Sequence, residues 1–284
     1  NYENLNPLYL NQYFDPDNQY VIPYVAGCPL IVYDPERVSF EITGYEDLWN
    51  ESLTDSVACL EQYRVLIGVT LKTLGYSMNE TDPDILAQAK EKLMPLYKNI
   101  RTFGDMEAYA AMQSGEASVG FLFTPFASLI MQEFPQYKLV YPKEGLGFGI
   151  DGFVLTAASQ NAENAHAFLN YLMDAKVAAH DAEYQAYMCV NKAAEAELSD
   201  DYWTNPAYNP PEEMLKSAEY VMNIGDEIEV KVSEIDSQGR VNLIRNDITY
   251  PVASEGGSRS GNGGRGNRPP RRDGRTFGGG NDRT

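Results

Sequence analysis

The chain has 284 residues, of which 43% are hydrophobic and 12% aromatic, enough to bury the core of one large or two ordinary domains and to exclude wholesale disorder. No run of about 18 apolar residues occurs, so no helical bilayer span is expected. The net charge of −19 is uneven: residues 1–222 hold 12 Lys/Arg against 32 Asp/Glu, whereas residues 223–284 hold 10 against 9, so the first part repels nucleic acid and anionic membranes and attracts cations.

The opening Asn1-Tyr2-Glu3 lacks the basic patch and apolar stretch of a signal peptide. Further on, Leu60, Tyr63, Ile67, Leu71 and Leu74 recur at spacings of three and four, one face of a helix that stops near Gly75. Asp82-Pro83 sets a capping carboxylate before a proline at the first helical position. That helix should run to about Leu93, where Pro95 interrupts it. A short helix over 105–114 ends at Gly115. Apolar runs of strand length follow at 118–123, 138–141 and 152–157, and then a helix whose buried face is Ala165, Phe168, Leu169 and Leu172. Strands alternating with helices predict α/β layers with a largely parallel sheet.

Motifs for chemistry are missing. There is no phosphate-cradling loop ending in Lys-Ser/Thr, no zinc-binding histidine pair and no serine nucleophile elbow. His166 and His180 are the only histidines and read as surface residues. Cys28, Cys59 and Cys189 are not spaced as metal ligands and read as small buried hydrophobes. Gly147-Phe148-Gly149-Ile150-Asp151-Gly152 matches the dinucleotide-binding glycine pattern. That site needs a helix after the glycines; Phe153-Val154-Leu155 reads as strand instead, so the stretch is expected to be a flexible connection between layers or lobes. No enzyme activity, metal or cofactor is expected.

Six segments, YFDPDNQYVIPY (13–24), GYEDLWN (44–50), LKTLGYSMNETDP (71–83), SGEASVGFLF (114–123), YPKEGLGFGIDGFVL (141–155) and FLNYLMDAKVA (168–178), together resemble the spermidine/putrescine-binding proteins of polyamine ABC transporters. The resemblance covers about residues 1–224. It implies an α/β, periplasmic-binding-protein-like two-lobe fold of type II, with residues 1–27 and 149–222 in a partial first lobe and 28–148 in the second. It also implies an extracytoplasmic location, either periplasmic or lipid-anchored at the cell surface, a polyamine-like cation as ligand, ABC permease subunits as partners and a monomeric state. A polyamine needs carboxylates for its ammonium groups and aromatic faces for its stem, and closing two lobes strengthens both by removing water.

By the same resemblance, Asp151 is the aspartate that pairs with an ammonium and Tyr208 a pocket tyrosine. Phe123 stands where a tryptophan stacks on the aliphatic chain, and Glu61 with Arg64 matches an acidic-x-x-Arg signature at a helix start. The pattern departs at Gln62 and Val65, where pocket carboxylates are common, at Gly149, where a pocket tryptophan is lost, and at Ala26-Gly27, where Trp-Gly marks the hinge entry. With fewer carboxylates, the ligand is a smaller amine or a different one. Family members carry an upstream strand–helix–strand stretch, so the first lobe is expected to be incomplete and to expose an unpaired edge and apolar surface.

The last sixty residues differ. GDEIEVKVSEIDSQGRVNLIR (225–245) resembles the last two strands of the RNA-binding OB-type domain of polynucleotide phosphorylase, as a hairpin turning at Asp236–Gly239. The Gly/Arg-rich tail over 252–284 is expected to be disordered, with Arg259, Arg265, Arg268, Arg271, Arg272 and Arg275 able to track RNA phosphates. The string Asn223–Glu227 reads as the join of two parent sequences. An RNA-associated protein, or a solute-binding protein for another small molecule, is the alternative function.

Overall fold

The computed structural model describes residues 1–222 and the backbones of two strands beyond them. Residues 1–225 form one compact unit, built on two sheets.

In chain order the strands are β1 (Ile22–Gly27), β2 (Pro29–Tyr33), β3 (Val57–Cys59), β4 (Ile100–Phe103), β5 (Val119–Phe123), β6 (Lys138–Val140), β7 (Gly147–Phe153), β8 (Met188–Cys189) and β9 (Glu219–Tyr220). The helices are α1 (Tyr63–Thr73), α2 (Pro83–Leu96), α3 (Asp105–Gln113), α4 (Thr124–Glu133), α5 (Ala162–Leu172), α6 (Ala175–Gln185), α7 (Asp200–Thr204) and α8 (Glu212–Lys216). One sheet has five strands in the order β4-β3-β5-β2-β6, the other four in the order β8-β1-β7-β9. The chain passes between them at Cys28, where β1 gives way to β2, and again over 141–146, between β6 and β7.

The sheets are mixed, not largely parallel. β3 runs parallel to β4 and β5, whereas β2 is antiparallel to β5 and β6. In the other sheet β1 is antiparallel to β7 and β8, and only β7 with β9 is parallel. The reason is the one-residue passage at Cys28: β2 leaves one sheet and enters the next without a helical crossover, so it runs against its neighbours.

Alternation along the five-stranded sheet feeds two cores. Ile31, Val57, Cys59, Val119 and Phe121 point to one face and pack with Tyr45, Leu48, Val65, Val69 and Met78. Leu30, Val32, Ala58 and Leu122 point to the other and pack with Ala108, Met112, Ala127 and Ile130 of α3 and α4. This second core continues into the four-stranded lobe through Leu146, Phe148 and Met188. Burial pushes the thiols of Cys28 and Cys59 up to about 12.

Element positions follow the sequence with four adjustments. α1 starts at Tyr63, because Leu60 is held at the end of its strand by a hydrogen bond from its N–H to the Phe121 carbonyl (2.9 Å). α2 begins at Pro83 with Asp82 accepting from the Asp84 and Ile85 amides, but runs on to Leu96. Pro95 lies inside the last turn, and the helix ends one residue after it. The third change is at the glycines: Gly147–Phe153 is itself the strand, not a flexible connection, and the strand expected over 152–157 has already ended at Phe153. A side chain at 152 would put Cβ 2.4 Å from Val21 Cγ1 and 3.2 Å from the Ile22 carbonyl oxygen, so glycine is what lets β1 and β7 approach. The fourth concerns α5, which buries none of its residues; Phe168 is 55% exposed.

Both histidines are exposed. Among the described residues no cluster of three His, Cys, Asp or Glu side chains could hold a metal ion, and no helix is long and apolar enough to cross a membrane. Beyond residue 222, Val230–Ile235 pairs antiparallel with Val241–Arg245, with Val232 opposite Leu243. The expected turn at Asp236–Gly239, the join at Asn223–Glu227 and the tail over 252–284 lie outside the described residues.

Candidate ligand-binding cleft

A hollow of about 320 Å³ opens where the two sheets meet. Gly27 and Pro29 form its floor at the passage from β1 to β2. Gln62 and Val65 come from the start of α1, Asp105 from the start of α3 and Phe123 from the end of β5. Phe148, Gly149 and Asp151 come from β7, Tyr187 precedes β8, and Val221 follows β9. Larger hollows exist, about 620 Å³ beside Tyr20 and His166 and about 680 Å³ beside Gln132 and Asp201. Only the smaller one is walled by both sheets, and two carboxylates converge there with three aromatic rings, which is the make-up of a specific polar site.

Local backbone features aim these groups. β1 and β7 pair with a shift between Pro23 and Val25, leaving Tyr24 as an extra residue next to the Asp151 position; bulges of this kind redirect side chains beside functional sites. Asp151 is open at the mouth of the cleft, yet the walls withdraw enough water to raise its carboxyl above the ordinary value. Tyr187 follows Ala186, a left-handed residue (φ 61°) that ends α6 and turns the chain back. The Tyr187 carbonyl accepts from the Tyr202 hydroxyl (3.2 Å), which in turn accepts from the Cys189 amide (2.7 Å). Burial raises the Tyr187 hydroxyl, and the nearby charges of Asp151 and Asp105 raise it further. One phenol therefore senses both carboxylates.

The passage beneath is pinned. Thr124 Oγ1 accepts from the buried Cys28 amide (2.9 Å), and the Thr124 amide donates to the Cys28 carbonyl (3.0 Å). The far side is strapped by residues 219–222. Glu219 takes Lys72 Nζ (2.6 Å), the Ser77 hydroxyl (2.5 Å) and the Met78 amide (3.0 Å). Asn79 accepts from the Met222 amide (2.8 Å), and Arg64 Nε donates to the Met222 carbonyl (3.0 Å). Burial pushes the Glu219 carboxyl up, but Lys72 and Ser77 outweigh it and hold it below 4.5.

Of the residues expected from sequence, Asp151 and Phe123 line this cleft together, as do Gln62, Val65 and Gly149. Glu61 is exposed and does not wall the cleft; its backbone amide lies against the Asp105 carboxylate. Arg64 ties down the strap. Tyr208 requires correction. It is buried against Tyr202, the rings stacked at 4.4 Å and 5°, and its hydroxyl accepts from Gln132 (3.3 Å). It borders a different hollow with Trp203 and Lys192. The Pro-rich turn around it is a packing element, and the cleft's tyrosine is Tyr187. Sequence reasoning missed Tyr187, Asp105 and Val221; among twenty tyrosines, the only local cue to Tyr187 is its place directly after a helix.

Residues 1–216 match the profile of a family described as bacterial extracellular solute-binding protein. The chain belongs to that family. It is 30% identical over 227 residues to the spermidine/putrescine-binding periplasmic protein of Salmonella typhimurium, a match covering 80% of this chain and 65% of that one. The protein of the same description from Escherichia coli K12 is 31% identical, with 79% and 65% covered. The chain thus spans just under two thirds of the length of these relatives. Among solved structures, a spermidine/putrescine ABC transporter substrate-binding protein of Streptococcus pneumoniae superposes with a TM-score of 0.71 at 30% identity, covering 79% of this chain and 69% of that one. A putative spermidine/putrescine ABC transporter from Listeria monocytogenes gives 0.73 at 27%, with 79% and 70% covered. These neighbours share the type II periplasmic-binding-protein fold.

Proposed function

We propose that this protein captures a polyamine-like cation outside the cytoplasm and delivers it to the permease of an ABC importer, without chemistry of its own. The observation that carries this reading is the convergence of Asp151, Tyr187 and Phe123 on one cleft between two sheets. A carboxylate supplies the partner for an ammonium, and ring faces suit both the cation and its methylene stem. The strongly acidic first 222 residues raise the local concentration of such a ligand. The described relatives bind spermidine and putrescine, and the six matching segments include the strand that carries Asp151.

Calorimetric titration of the full chain with putrescine and with spermidine tests this. Saturable binding that Asp151→Ala abolishes supports the proposal; absence of heat with either amine at millimolar concentration refutes it. A short single-stranded RNA in the same cell is the control, since the proposal leaves no role for it in the cleft. Because burial raises the Asp151 carboxyl, amine affinity should fall on acidification while the pH is still above the ordinary aspartate value of 3.8.

A further inference from the structure

The hollow that Tyr208 borders measures about 430 Å³ and is walled by the edge strand β8, by α7 and α8, and by Asn6, Leu8 and Tyr9. It shares no lining residue with the cleft. The partition between them is a pair of rings: Tyr9 on the hollow side stacks on Phe148 on the cleft side, centroids 5.9 Å apart at 19°. Three buried tyrosines face this hollow, and two have spent their hydroxyls. Tyr202 bonds to the Tyr187 carbonyl and the Cys189 amide, and Tyr208 bonds to Gln132. Tyr9 is 5% exposed, and its hydroxyl has neighbouring charges but no hydrogen-bond partner. An unpaired phenol at that depth is costly.

That hydroxyl is not sealed in. Among described residues that are not exposed, Asp105 Oδ1 is the only side-chain oxygen or nitrogen both closed to solvent and unpartnered. The Tyr9 hydroxyl therefore has an outlet, and two of the groups that act on it, Cys189 and Glu195, are themselves walls of the hollow. The remaining walls define what fits. Charges at the rim are already paired, Lys192 Nζ with both Glu195 oxygens (2.9 and 2.8 Å) and Glu212 with Lys216 (3.0 Å), so no ion is called for. Trp203 is 46% exposed and set edge-on to Tyr202 (5.7 Å, 86°), which leaves indole surface free for stacking. A sugar also stacks on rings, but it needs several polar partners, and Leu8, Met188, Leu198 and Leu215 stand where those would be.

We propose that this hollow is a second ligand site, separate from the cleft, which takes a small neutral aromatic molecule carrying one hydroxyl or ring N–H. That group meets the Tyr9 hydroxyl, and the ring lies against Trp203. Burial raises the Tyr9 phenol, so it stays protonated and can both donate and accept. The proposal goes beyond the amine-binding reading and does not depend on it.

The test titrates phenol and toluene, two rings that differ in the hydroxyl, into the full chain and into Tyr9→Phe, Trp203→Ala and Asp151→Ala. The unaltered protein should bind phenol saturably at about millimolar concentration. Tyr9→Phe keeps the stack on Phe148 and removes a hydroxyl that no protein group uses, so it should fold as the parent does. In it the ratio of phenol to toluene affinity should fall about three- to tenfold, the worth of one neutral hydrogen bond. Trp203→Ala should weaken both probes alike, and Asp151→Ala should leave both as they were. No saturable phenol binding overturns the proposal, as does an unchanged ratio in Tyr9→Phe or unchanged affinities in Trp203→Ala. Loss of phenol binding in Asp151→Ala also overturns it, by placing the ring in the cleft. None of these results alters what putrescine does in the cleft, so the two readings fail separately.

Discussion

The two lobes treat their helices differently. In the five-stranded lobe, α1 buries Val65, Val69 and Leu71, and α4 buries Ala127 and Ile130, so that the sheet is covered on both faces. In the four-stranded lobe, α5 carries as clear an apolar stripe and buries no residue, while Val154 and Leu155 beyond β7 are also exposed. The contrast separates two things that a periodic pattern joins: the stripe marks the face that requires cover, and the rest of the fold decides whether cover is there. Stability should accordingly be concentrated in the five-stranded lobe.

The largest effect is expected at its centre. Phe121 is fully buried and meets Tyr45 edge-on with ring centroids 5.7 Å apart. Phe121→Ala should cost about 3–5 kcal/mol in urea unfolding; a loss near that of an exposed phenylalanine would break the contrast. Next is the passage between lobes. Thr124→Val leaves the buried Cys28 amide without its acceptor, at about 1–3 kcal/mol. The strap comes third: Glu219→Gln should cost about 1–2 kcal/mol, since Lys72 and Glu219 are 14% and 27% exposed. The sign with pH follows from a carboxyl held below its ordinary value of 4.5. Its contribution is complete above that value and is lost as the pH falls through it, so the variant and the parent should converge in acid. The smallest effect is at α5, where Phe168→Ser should shift stability by no more than about 0.5 kcal/mol.

Much of the five-stranded lobe was legible because alternation and capping are local. Asp82-Pro83 announced α2, and Gly75 and Gly115, at φ 83° and 73°, ended segments as glycines do. The glycine run at 147–152 misled, because what makes it a strand is the nearness of Val21 and Ile22, a property of the partner strand. In the cleft, Asp151 and Phe123 were legible through resemblance. Tyr187 was not, since its role depends on a left-handed alanine and on the Tyr202 hydroxyl fifteen residues away in sequence. Asp105 reads like any first-turn aspartate, and nothing in its own segment shows that it lines the cleft. Tyr208 shows the reverse error, a polar aromatic in a Pro-rich turn whose ring is used in stacking.

The central claim is that Asp151 and Tyr187 hold an amine between the lobes. A crystal structure grown with saturating putrescine tests it most directly. The account predicts a ligand in the hollow between the sheets, with one nitrogen at ion-pair distance from Asp151 and its carbon chain against the ring of Tyr187. An empty cleft, or putrescine seated instead beside Trp203 or His166, would contradict it.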